Sequence, residues 1–343
     1  MNNCSKQLKI IENLEKLFGN TPLIEVSFRY KSQLKKIFGK YEAFNFSGSI
    51  KDRIALHILK KSYQLNLLKE GDIIVEATSG NTGIAFSALG RALGHKVKIF
   101  MPDWLSKERY DTIELYGAEV IKISKEQGGF LRSISEAENL VNLHKDLPVK
   151  AFCPKQFSNQ FNAEAHKLYT AKELFDDLQK INQKITHFVA GVGTGGTIMG
   201  FHQYCLQNNL AVSCHPLEPL NSPTLSTGGK KIGMHRIQGI SDEFIPEILK
   251  LDQIGKIVSV DDSDAIIMAQ KLNQAGLSVG ISSGANFIGA LKLLLENSEN
   301  SAVATIFCDS ALKYLSTDLC REQKVSLDFL SPDITIENIK VHR

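Results

Sequence analysis

Three turns in this sequence combine glycines with hydroxyl or amide side chains, and each could bind an anion. The first runs from residue 78 to residue 83, directly after the apolar run 73–75 and before a segment of helical period. In an open parallel sheet such a turn lies at the carboxyl ends of the strands, where the N–H groups of a helix N-terminus face the ligand. The first turn therefore suits a carboxylate or a phosphate. The alternative is an ordinary turn, since Ser, Thr, Asn and Gly favour turns for local reasons.

The second turn, GVGTGGT at 191–197, follows a strand-like run and opens a helix. Its glycines match the GxGxxG spacing of dinucleotide-binding folds, and Glu218 follows about twenty residues later, where a ribose-binding acid is expected. The same backbone N–H groups, with the hydroxyls of Thr194 and Thr197, could instead bind one phosphate monoester. This turn by itself leaves both a nucleotide oxidoreductase and a phosphate-binding site open.

Two further segments carry polar or reactive side chains. GISSGA at 280–285 lies between an apolar run and a helix, and Ser283 could be no more than an N-cap there. GSIKDR at 48–53 places Lys51 near the start of the first block of strands and helices. A lysine on a helical face is usually a solvated cation, but a desolvated lysine can act as a nucleophile or a base. The position of Lys51 among the other motifs favours the chemical role.

The elements that position these turns alternate between short β-branched runs and segments of helical period. This is the pattern of βαβ units on a parallel sheet, so the predicted fold class is α/β. Residues 216–246 lose the periodicity, and a loop of that length is typically functional. Residues after 325 could form an extra strand, an oligomer contact or a loose tail. The predicted strands are 73–75, 96–101, 118–124, 187–191, 256–260 and 303–307, and the predicted helices are 84–93, 107–117, 163–178 and 197–207.

The composition is that of a globular protein of about two domains, with 343 residues of which 43% are hydrophobic and 22% charged. The formal net charge is +3 without a long run of Lys or Arg, so neither nucleic acid nor a membrane surface is an expected partner. The six cysteines show no CxxC pair and no zinc spacing, which predicts reduced, mostly buried thiols and no metal. No signal peptide or membrane-spanning run is recognisable, which predicts a cytoplasmic protein.

Five motifs, present together and in order, resemble the cysteine synthase and cystathionine β-synthase family of pyridoxal-phosphate enzymes. The resemblance extends from GNTPL at 19–23 to KYLSTDL at 313–319. It implies an α/β fold of the tryptophan synthase β-like class, with two domains, parallel-type sheets, the cofactor in the cleft between them and usually a homodimer. The domains would be residues 1–45 with 151–325 (larger, holding the cofactor phosphate), 46–150 (smaller and mobile) and a C-terminal tail, 326–343. The motifs are GSIKDR at 48–53, EATSGNTG at 76–83, GVGTGGT at 191–197, QGI at 238–240 and GISSGA at 280–285.

By position, the resemblance implies a role for each motif. Lys51 would form the Schiff base with the cofactor aldehyde and then move protons at the substrate Cα. Asn81 would hydrogen-bond the 3-hydroxyl oxygen of the pyridine ring, and Ser282 would face the ring nitrogen. The cofactor phosphate would be held by Gly193, Thr194, Gly195 and Thr197. The substrate carboxylate would be held by Thr78, Ser79, Thr82 and Gln156.

The hydroxyl of Ser282 affects which reaction is expected. It cannot stabilise a charged pyridinium as a carboxylate can, so the electrons freed at Cα are not fully drawn into the ring. They instead expel the β-substituent. The expected cycle is β-replacement on a β-substituted L-alanine, by elimination to an enzyme-bound aminoacrylate and addition of a nucleophile such as sulfide. O-Acetylserine, O-phosphoserine, serine and cysteine share the carboxylate and the amine that these motifs recognise. Cysteine synthesis from O-acetylserine or O-phosphoserine and sulfide is the first expectation.

The chain departs from the family pattern at three places. Phe46 stands where a proline is common, and residues 309–313 replace a turn that usually contains glycine. At 239–243 the sequence GISDE replaces small uncharged residues at the rim of the active site. Asp242 could reach the substrate β-carbon through one water and, if desolvated, act as a general base. The alternative activity is then cysteine plus water giving serine and hydrogen sulfide, and the structural alternative is a solvated turn.

The sequence leaves two other classes of function open. One is a NAD-dependent oxidoreductase, which would use the glycine-rich turn and Glu218. The other is a non-catalytic relative that binds a metabolite or a protein partner. The visible absorbance of the purified protein distinguishes both from a pyridoxal-phosphate enzyme, because only the pyridoxal-phosphate hypothesis predicts a coloured protein.

Overall fold

The structure is a computed structural model that describes residues 3–297 and 301–343. The helices in this part of the chain are α1 (Asn3–Leu14), α2 (Lys51–Gln64), α3 (Asn81–Ala92), α4 (Lys107–Leu115), α5 (Gly129–Leu143), α6 (Phe161–Ala165), α7 (Lys172–Lys180), α8 (Gly196–Gln207), α9 (Asp262–Gln274) and α10 (Ile281–Glu296). The strands are β1 (Leu23–Tyr30), β2 (Gln33–Tyr41), β3 (Ile73–Ala77), β4 (Lys96–Pro102), β5 (Glu119–Ile123), β6 (Ala151–Phe152), β7 (His187–Gly191), β8 (Ser213–Pro219), β9 (Val258–Val260), β10 (Val303–Phe307) and β11 (Ile334–His342).

The larger sheet has seven strands in the order β11-β1-β2-β10-β7-β8-β9. Strands β2, β10, β7, β8 and β9 run parallel to one another, whereas β1 is antiparallel to both β2 and β11. Strand β10, with the sequence VATIF, is buried along its whole length. A continuous apolar run is typical of a parallel strand that is covered on both faces.

The smaller sheet has four parallel strands in the order β5-β4-β3-β6. Its strand β3, with the sequence IIVEA, is buried at every position. Helix α3 follows β3 and packs apolar side chains against this sheet, among them Ile84, Phe86 and Leu89. The first predicted βα block is therefore present at the expected place in the chain.

The β1–β2 hairpin was not predicted from the sequence. Lys31 and Ser32 connect the two strands, and both have positive φ values, 45° and 71°. Positive φ at both central residues is the geometry of the type I′ turn, whose twist matches that of the flanking strands. The sequence lacks the Asn-Gly or Asp-Gly pair that usually signals this turn, which is why the hairpin escaped prediction.

Two boundaries differ from the expected domain limits. Strand β6, at residues 151–152, pairs with β3 and so joins the smaller sheet, although residue 151 was expected to begin the larger domain. In the segment 326–343, residues 334–342 form the edge strand β11, so this segment is not a loose tail. The division into two domains itself stays a prediction.

The cysteines are free thiols wherever the structure describes their side chains. Cys205 and Cys214 are buried, Cys153 and Cys308 are partly buried, and Cys320 is exposed. The expectation of mostly buried thiols is thus wrong for Cys320, and the side chain of Cys4 lies outside the described part. Within residues 3–297 and 301–343, no helix is both long enough and apolar enough to cross a membrane.

Candidate active site

The predicted site residues converge on one cavity at the carboxyl ends of β3, β7 and β10. This is where ligands bind in open parallel sheets, because helix N-termini point into the crevice there. Gly195 lies beside the cavity as the N-cap of α8. The predicted residues that line the cavity are Lys51, Thr78, Ser79, Asn81, Thr82, Gln156, Gly193, Thr194, Thr197, Asp242 and Ser282.

Lys51 is the first residue of α2, and the loop before it is held firmly. The carboxylate of Asp52 accepts hydrogen bonds from the backbone N–H groups of Ser47 (2.9 Å) and Ser49 (3.1 Å). The backbone N–H of Ile50 donates to the carbonyl oxygen of Cys308 at the end of β10 (2.9 Å). These bonds fix the backbone of Lys51 beside the larger sheet, so that its side chain enters the cavity.

The turn after β3 forms the first wall of the cavity. Gly80 is the N-cap of α3 with φ 147°, a conformation that favours glycine, and no side chain caps this helix. The hydroxyl of Thr82 donates to Oε1 of Gln156 (2.7 Å), and Nε2 of Gln156 donates to the carbonyl oxygen of Ala77 (2.7 Å). Uncapped N–H groups, together with Thr and Gln side chains held in place, form a suitable site for a carboxylate.

Glu76 supports this wall, and the sequence analysis did not identify that role. Its carboxylate accepts hydrogen bonds from the backbone N–H groups of Ala77 (2.9 Å) and Gln156 (3.2 Å). Burial raises the pKa of Glu76 to about 8, although these two hydrogen bonds oppose the rise. Glu76 therefore anchors the chain where Gln156 enters the cavity.

The glycine-rich turn after β7 forms the second wall. Gly195 has φ 80° and begins α8 without a side-chain cap, so the first N–H groups of α8 face outwards. Thr194 is held by Asn162, whose Nδ2 donates to the threonine oxygen (2.9 Å), and the hydroxyl oxygen of Thr197 lies 3.3 Å from Nε2 of His166. A Cβ at Gly193 would come within 2.5 Å of the carbonyl oxygen of Gly239. A close-packed glycine turn at an uncapped helix N-terminus fits a phosphate group.

The first turn of α10 carries Ser282, which is 4% exposed and lies next to Cys308. Burial raises the pKa of the Cys308 thiol to about 11, while Lys51 and a hydrogen bond with Ser282 oppose the rise. The hydroxyl oxygen of Ser283 accepts a hydrogen bond from the backbone N–H of Cys308 (2.9 Å). Ser283 thus ties the start of α10 to the end of β10, while Ser282 faces the cavity as a neutral hydroxyl.

Arg109 also lines the cavity and was not identified from the sequence. It is 1% exposed, and its Nε and Nη1 atoms have no hydrogen-bond partner among the described residues. The guanidinium group lies 4.9 Å from the ring centroid of Tyr314. A Cβ at Gly80 would come within 2.2 Å of the Arg109 side chain. The cavity therefore contains a buried cation directly beneath the turn after β3.

Asp242 lies in the segment 239–244, where the cavity meets a wider outer cleft. The segment is attached to the second wall, because the backbone N–H of Ser241 donates to the carbonyl oxygen of Val192 (2.7 Å). Burial raises the pKa of Asp242 to about 7; Glu243 adds to the rise and Lys51 opposes it. A carboxyl group with this pKa can exchange a proton near neutral pH. Asp242 is half-buried and Glu243 is exposed, so a solvated carboxylate at this turn describes Glu243 better than Asp242.

Three aromatic rings cover the segment that carries Asp242. The ring centroids of Phe157 and Phe244 are 5.0 Å apart, and Phe130 of α5 lies 5.7 Å from Phe157 and 6.4 Å from Phe244. We call these three residues the aromatic cover. It joins a helix of the smaller sheet to the segment of Asp242.

Glu218 does not occupy a ligand site. It is fully buried, and its Oε2 accepts hydrogen bonds from the backbone N–H groups of Leu225 (2.8 Å) and Ser226 (3.3 Å). The hydroxyl of Ser259 donates to its Oε1 (3.3 Å). This carboxylate holds the long loop after β8, so it is not available to a ribose.

Comparison with known proteins identifies the family. A family model described as pyridoxal-phosphate dependent enzyme matches residues 14–309. The chain belongs to this family. It is a pyridoxal-phosphate-dependent enzyme of the cysteine synthase type, so the predicted family, fold class and cofactor are confirmed. The NAD-dependent and non-catalytic alternatives are wrong.

The enzyme is similar over nearly its whole length to a hydrogen sulfide-producing enzyme from Fusobacterium nucleatum. The identity is 52%, the match covers 97% of this chain and 99% of that chain, and the TM-score is 0.92. A mutant of the same enzyme, in complex with an α-aminoacrylate intermediate, has a TM-score of 0.93. Cysteine synthase B from Campylobacter jejuni is 39% identical over 313 residues, which are 91% of this chain and 99% of that protein.

Proposed function

We propose that this enzyme replaces the thiol group of L-cysteine by water, releasing hydrogen sulfide and forming L-serine. The observation that carries the proposal is the carboxyl group of Asp242, which lies in the same cavity as Lys51 and has its pKa raised to about 7. The similarity to a hydrogen sulfide-producing enzyme supports it. The reaction balances as cysteine plus water giving serine plus hydrogen sulfide, with no change in oxidation state.

The substrate carboxylate binds at the first wall. The uncapped N-terminus of α3 supplies backbone N–H groups, and Thr78, Ser79 and Thr82 supply hydroxyls. The amide of Gln156 keeps one N–H for the ligand after its bond to Ala77.

Lys51 handles the proton at the substrate Cα. The bound pyridoxal phosphate makes that proton acidic and makes the β-substituent a leaving group. The phosphate of the cofactor would lie at the N-terminus of α8, held by Gly193, Thr194, Gly195 and Thr197. Asn81 would bind the 3-oxygen of the ring. Ser282 would face the ring nitrogen and, as a neutral hydroxyl, favour loss of the β-substituent.

Asp242 activates the water that takes the place of the thiol. Its carboxylate accepts a proton from water as the oxygen bonds to the β-carbon, and Lys51 returns a proton to Cα. Since the base must be ionised, serine formation rises with pH through a midpoint near 7 and levels off above it. The reacting water is one that reaches Asp242 where the cavity meets the outer cleft.

Cysteine synthesis from O-acetylserine or O-phosphoserine and sulfide is the second candidate. It is supported by the similarity to cysteine synthase B and requires the same binding residues and Lys51. Sulfide is already partly ionised to HS⁻ near neutral pH and does not need a base, so this reaction does not depend on Asp242. The role of Asp242 therefore separates the two candidates.

The test measures serine and sulfide from cysteine in the wild type and in Asp242→Asn, at several pH values. We expect the variant to lose at least about a hundredfold in serine formation and to lose the rise towards pH 7, while sulfide addition to O-acetylserine is retained. Glu247→Gln is the matched control, because Glu247 is an exposed carboxylate in the next turn along the chain. Equal serine yield from Asp242→Asn and wild type would reject the role of Asp242, and no serine from the wild type would reject the reaction.

The homodimer implied by the resemblance, and the cytoplasmic location predicted from the sequence, belong to the same proposal. Sedimentation of the purified enzyme would measure its assembly, and fractionation of cells would measure its location.

A further inference from the structure

A polar group follows β10 and hydrogen-bonds Asn81 beside the cavity; two of its residues, Asp309 and Tyr314, are buried and the third, Lys313, is half-buried. We call Asp309, Lys313 and Tyr314 the post-β10 group. Nδ2 of Asn81 donates to Oδ2 of Asp309 (2.7 Å), and Nζ of Lys313 donates to Oδ1 of Asn81 (3.0 Å). Both ends of the Asn81 amide are thus bonded to charged side chains. Neither contact was expected from the sequence.

These two bonds fix which way the amide of Asn81 points. An amide turned over by 180° would place its NH₂ against the Lys313 ammonium and its oxygen against the Asp309 carboxylate, and both contacts would be repulsive. Bonds to ionised partners are about twice as strong as bonds between neutral groups. In the observed orientation, one N–H of Nδ2 remains for a ligand in the cavity that Asn81 lines.

The post-β10 group is itself held in place. The hydroxyl of Tyr314 donates to Oδ2 of Asp309 (2.7 Å), and Ser106 donates to the carbonyl oxygen of Lys313 (3.0 Å). A Cβ at Gly280 would come within 2.4 Å of both Asp309 and Tyr314, so the group packs directly against the start of α10. Burial lowers the pKa of Lys313, and the charges of Asp309 and Asp52 oppose this shift.

We propose that Lys313 and Asp309 are positioning residues that lock the Asn81 amide, so that its remaining N–H binds the 3-oxygen of pyridoxal phosphate. The inference rests on the proposed role of Asn81 in cofactor binding, and not on the choice of cysteine and water as substrates. The ammonium of Lys313 has a second effect, because its positive charge near Asn81 favours the ionised form of that oxygen. Lys313 acts through Asn81 and needs no contact with the substrate.

The experiment compares the binding of two cofactors to the cofactor-free full chain. One is pyridoxal phosphate, and the other is 3-deoxypyridoxal phosphate, which lacks the 3-oxygen. The variants are Lys313→Met, Lys313→Arg and Asn81→Ala, with Lys107→Met as the control, since Lys107 is exposed and pairs with Asp111. Inorganic phosphate binding reports separately on the phosphate turn. No amino-acid substrate is added, so failure of the proposed reaction does not affect the result.

We expect Lys313→Met to weaken binding of pyridoxal phosphate about tenfold and binding of the deoxy analogue less than twofold. Lys313→Arg keeps the charge and the donor and should stay within twofold of the wild type. Equal weakening of both cofactors, or of neither, by Lys313→Met would overturn the proposal. If Asn81→Ala distinguishes the cofactors and Lys313→Met does not, the role of Lys313 alone is rejected. If neither does, the role of Asn81 is rejected as well.

Discussion

Lys51 and Asp242 line the same cavity, but they come from different parts of the fold and have different environments. Lys51 starts a helix whose preceding loop is fixed by Asp52 and by the end of β10. Asp242 lies in an irregular segment attached to the glycine-rich turn, with a carboxyl group whose pKa is about 7. The two groups are therefore suited to different protons, one at the substrate Cα and one on the attacking water.

Replacing Lys51 by alanine should abolish turnover and leave the fold intact. The phosphate turn is more than a hundred residues away in sequence and keeps its own contacts, so weak cofactor binding should remain. We expect a loss of at least about a thousandfold in sulfide release from cysteine. Treatment with borohydride should no longer attach the cofactor to the protein. Lys61→Ala, on the same helix and paired with Glu164, is the control, and near-normal elimination by the Lys51 variant would contradict the assignment.

The roles of residues within a motif could be predicted, because the side chains that act together are adjacent in the sequence. The turns 78–83 and 191–197 follow strands and open helices, so their location at the cavity follows from sheet geometry. Arg109 and Lys313 could not be predicted in this way. Each is a single charged residue without a local pattern, and Lys313 is 232 positions from Asn81, its partner. Only the folded chain brings such residues to the site.

At the scale of elements, helices α2, α3, α8 and α10 all begin at the cavity, and tightly packed glycine turns precede α3 and α8. A substitution in the glycine-rich turn before α8 tests this arrangement. In Gly193→Ala the new Cβ would lie 2.5 Å from the carbonyl oxygen of Gly239. This oxygen belongs to the backbone, so it cannot move aside as easily as the end of a flexible side chain. We expect cofactor affinity to fall at least about tenfold, measured by titration of the cofactor-free protein.

A matched control for this substitution is Gly276→Ala. Gly276 has φ 90° and open space around it, so an alanine costs backbone strain of about 1 kcal/mol without displacing a neighbour. The control should lower the melting temperature and leave cofactor affinity unchanged. Unchanged affinity in Gly193→Ala would show that the contact with Gly239 does not support the phosphate site.

The aromatic cover should set the pKa of Asp242. Phe244→Ala removes one of three packed rings and admits water, which stabilises the carboxylate. We expect the midpoint of the pH profile for serine formation, near 7 in the wild type, to move to lower pH. Phe175→Ala removes a ring stacked on Tyr204 elsewhere in the molecule and should leave the midpoint in place. An identical profile in Phe244→Ala would mean that other atoms desolvate Asp242.

Most parallel strands and helices were predictable because apolar periodicity is a local property. The predicted helix 163–178 differs in the structure, where it is divided into α6, a π-helical turn at His166–Ala171, and α7. Periodicity does not distinguish a π turn from an α turn. Here Gly200 packs so closely on this turn that a Cβ would lie 2.6 Å from the Cβ of His166. The irregularity thus depends on packing with α8, which no local pattern encodes.

At the scale of the whole molecule, a buried ionic network joins α2 to the larger sheet. Nε of Arg53 donates to Glu42 (2.5 Å), and Nη2 donates to Glu173 of α7 (2.8 Å). Lys40 in β2 extends the network to Asp177 (2.7 Å). Burial alone would raise the pKa of Glu42, but the charge of Arg53 holds it below its ordinary value. The network fixes the helix of Lys51 against the strands that carry the rest of the site.

Arg53→Met should destabilise the whole enzyme, because it removes the cation bonded to the buried Glu42 and leaves Glu173 with Lys40 alone. The expected loss is about 3 to 5 kcal/mol of unfolding free energy, seen as a fall of several degrees in the melting temperature. Adding Glu42→Gln and Glu173→Gln should recover part of the loss, since the carboxylates that lost a partner are then removed. A melting temperature equal to that of the wild type would show that the network contributes no net stability.

The order of the strands was the least predictable part of the fold. Strand β10 lies between β2 and β7, although about 260 residues separate it from β2. Local patterns identify a strand but contain no information on its neighbours, except where a short connection makes adjacent strands pair. The relation between the two sheets, and hence the assembly of the cavity, had to come from the structure.

The placement of β10 and β11 has a consequence for synthesis on the ribosome. The β1–β2 hairpin emerges well before β10 and β11, with which its two outer edges pair. The smaller sheet, contained within residues 73–152, can close much earlier. Unpaired strand edges are sites of aggregation, so the hairpin is exposed to this hazard until its partner strands have left the exit tunnel. The smaller sheet can therefore form before the larger one, and the cavity, which Ile306 and Cys308 line, can be completed only after β10 has emerged.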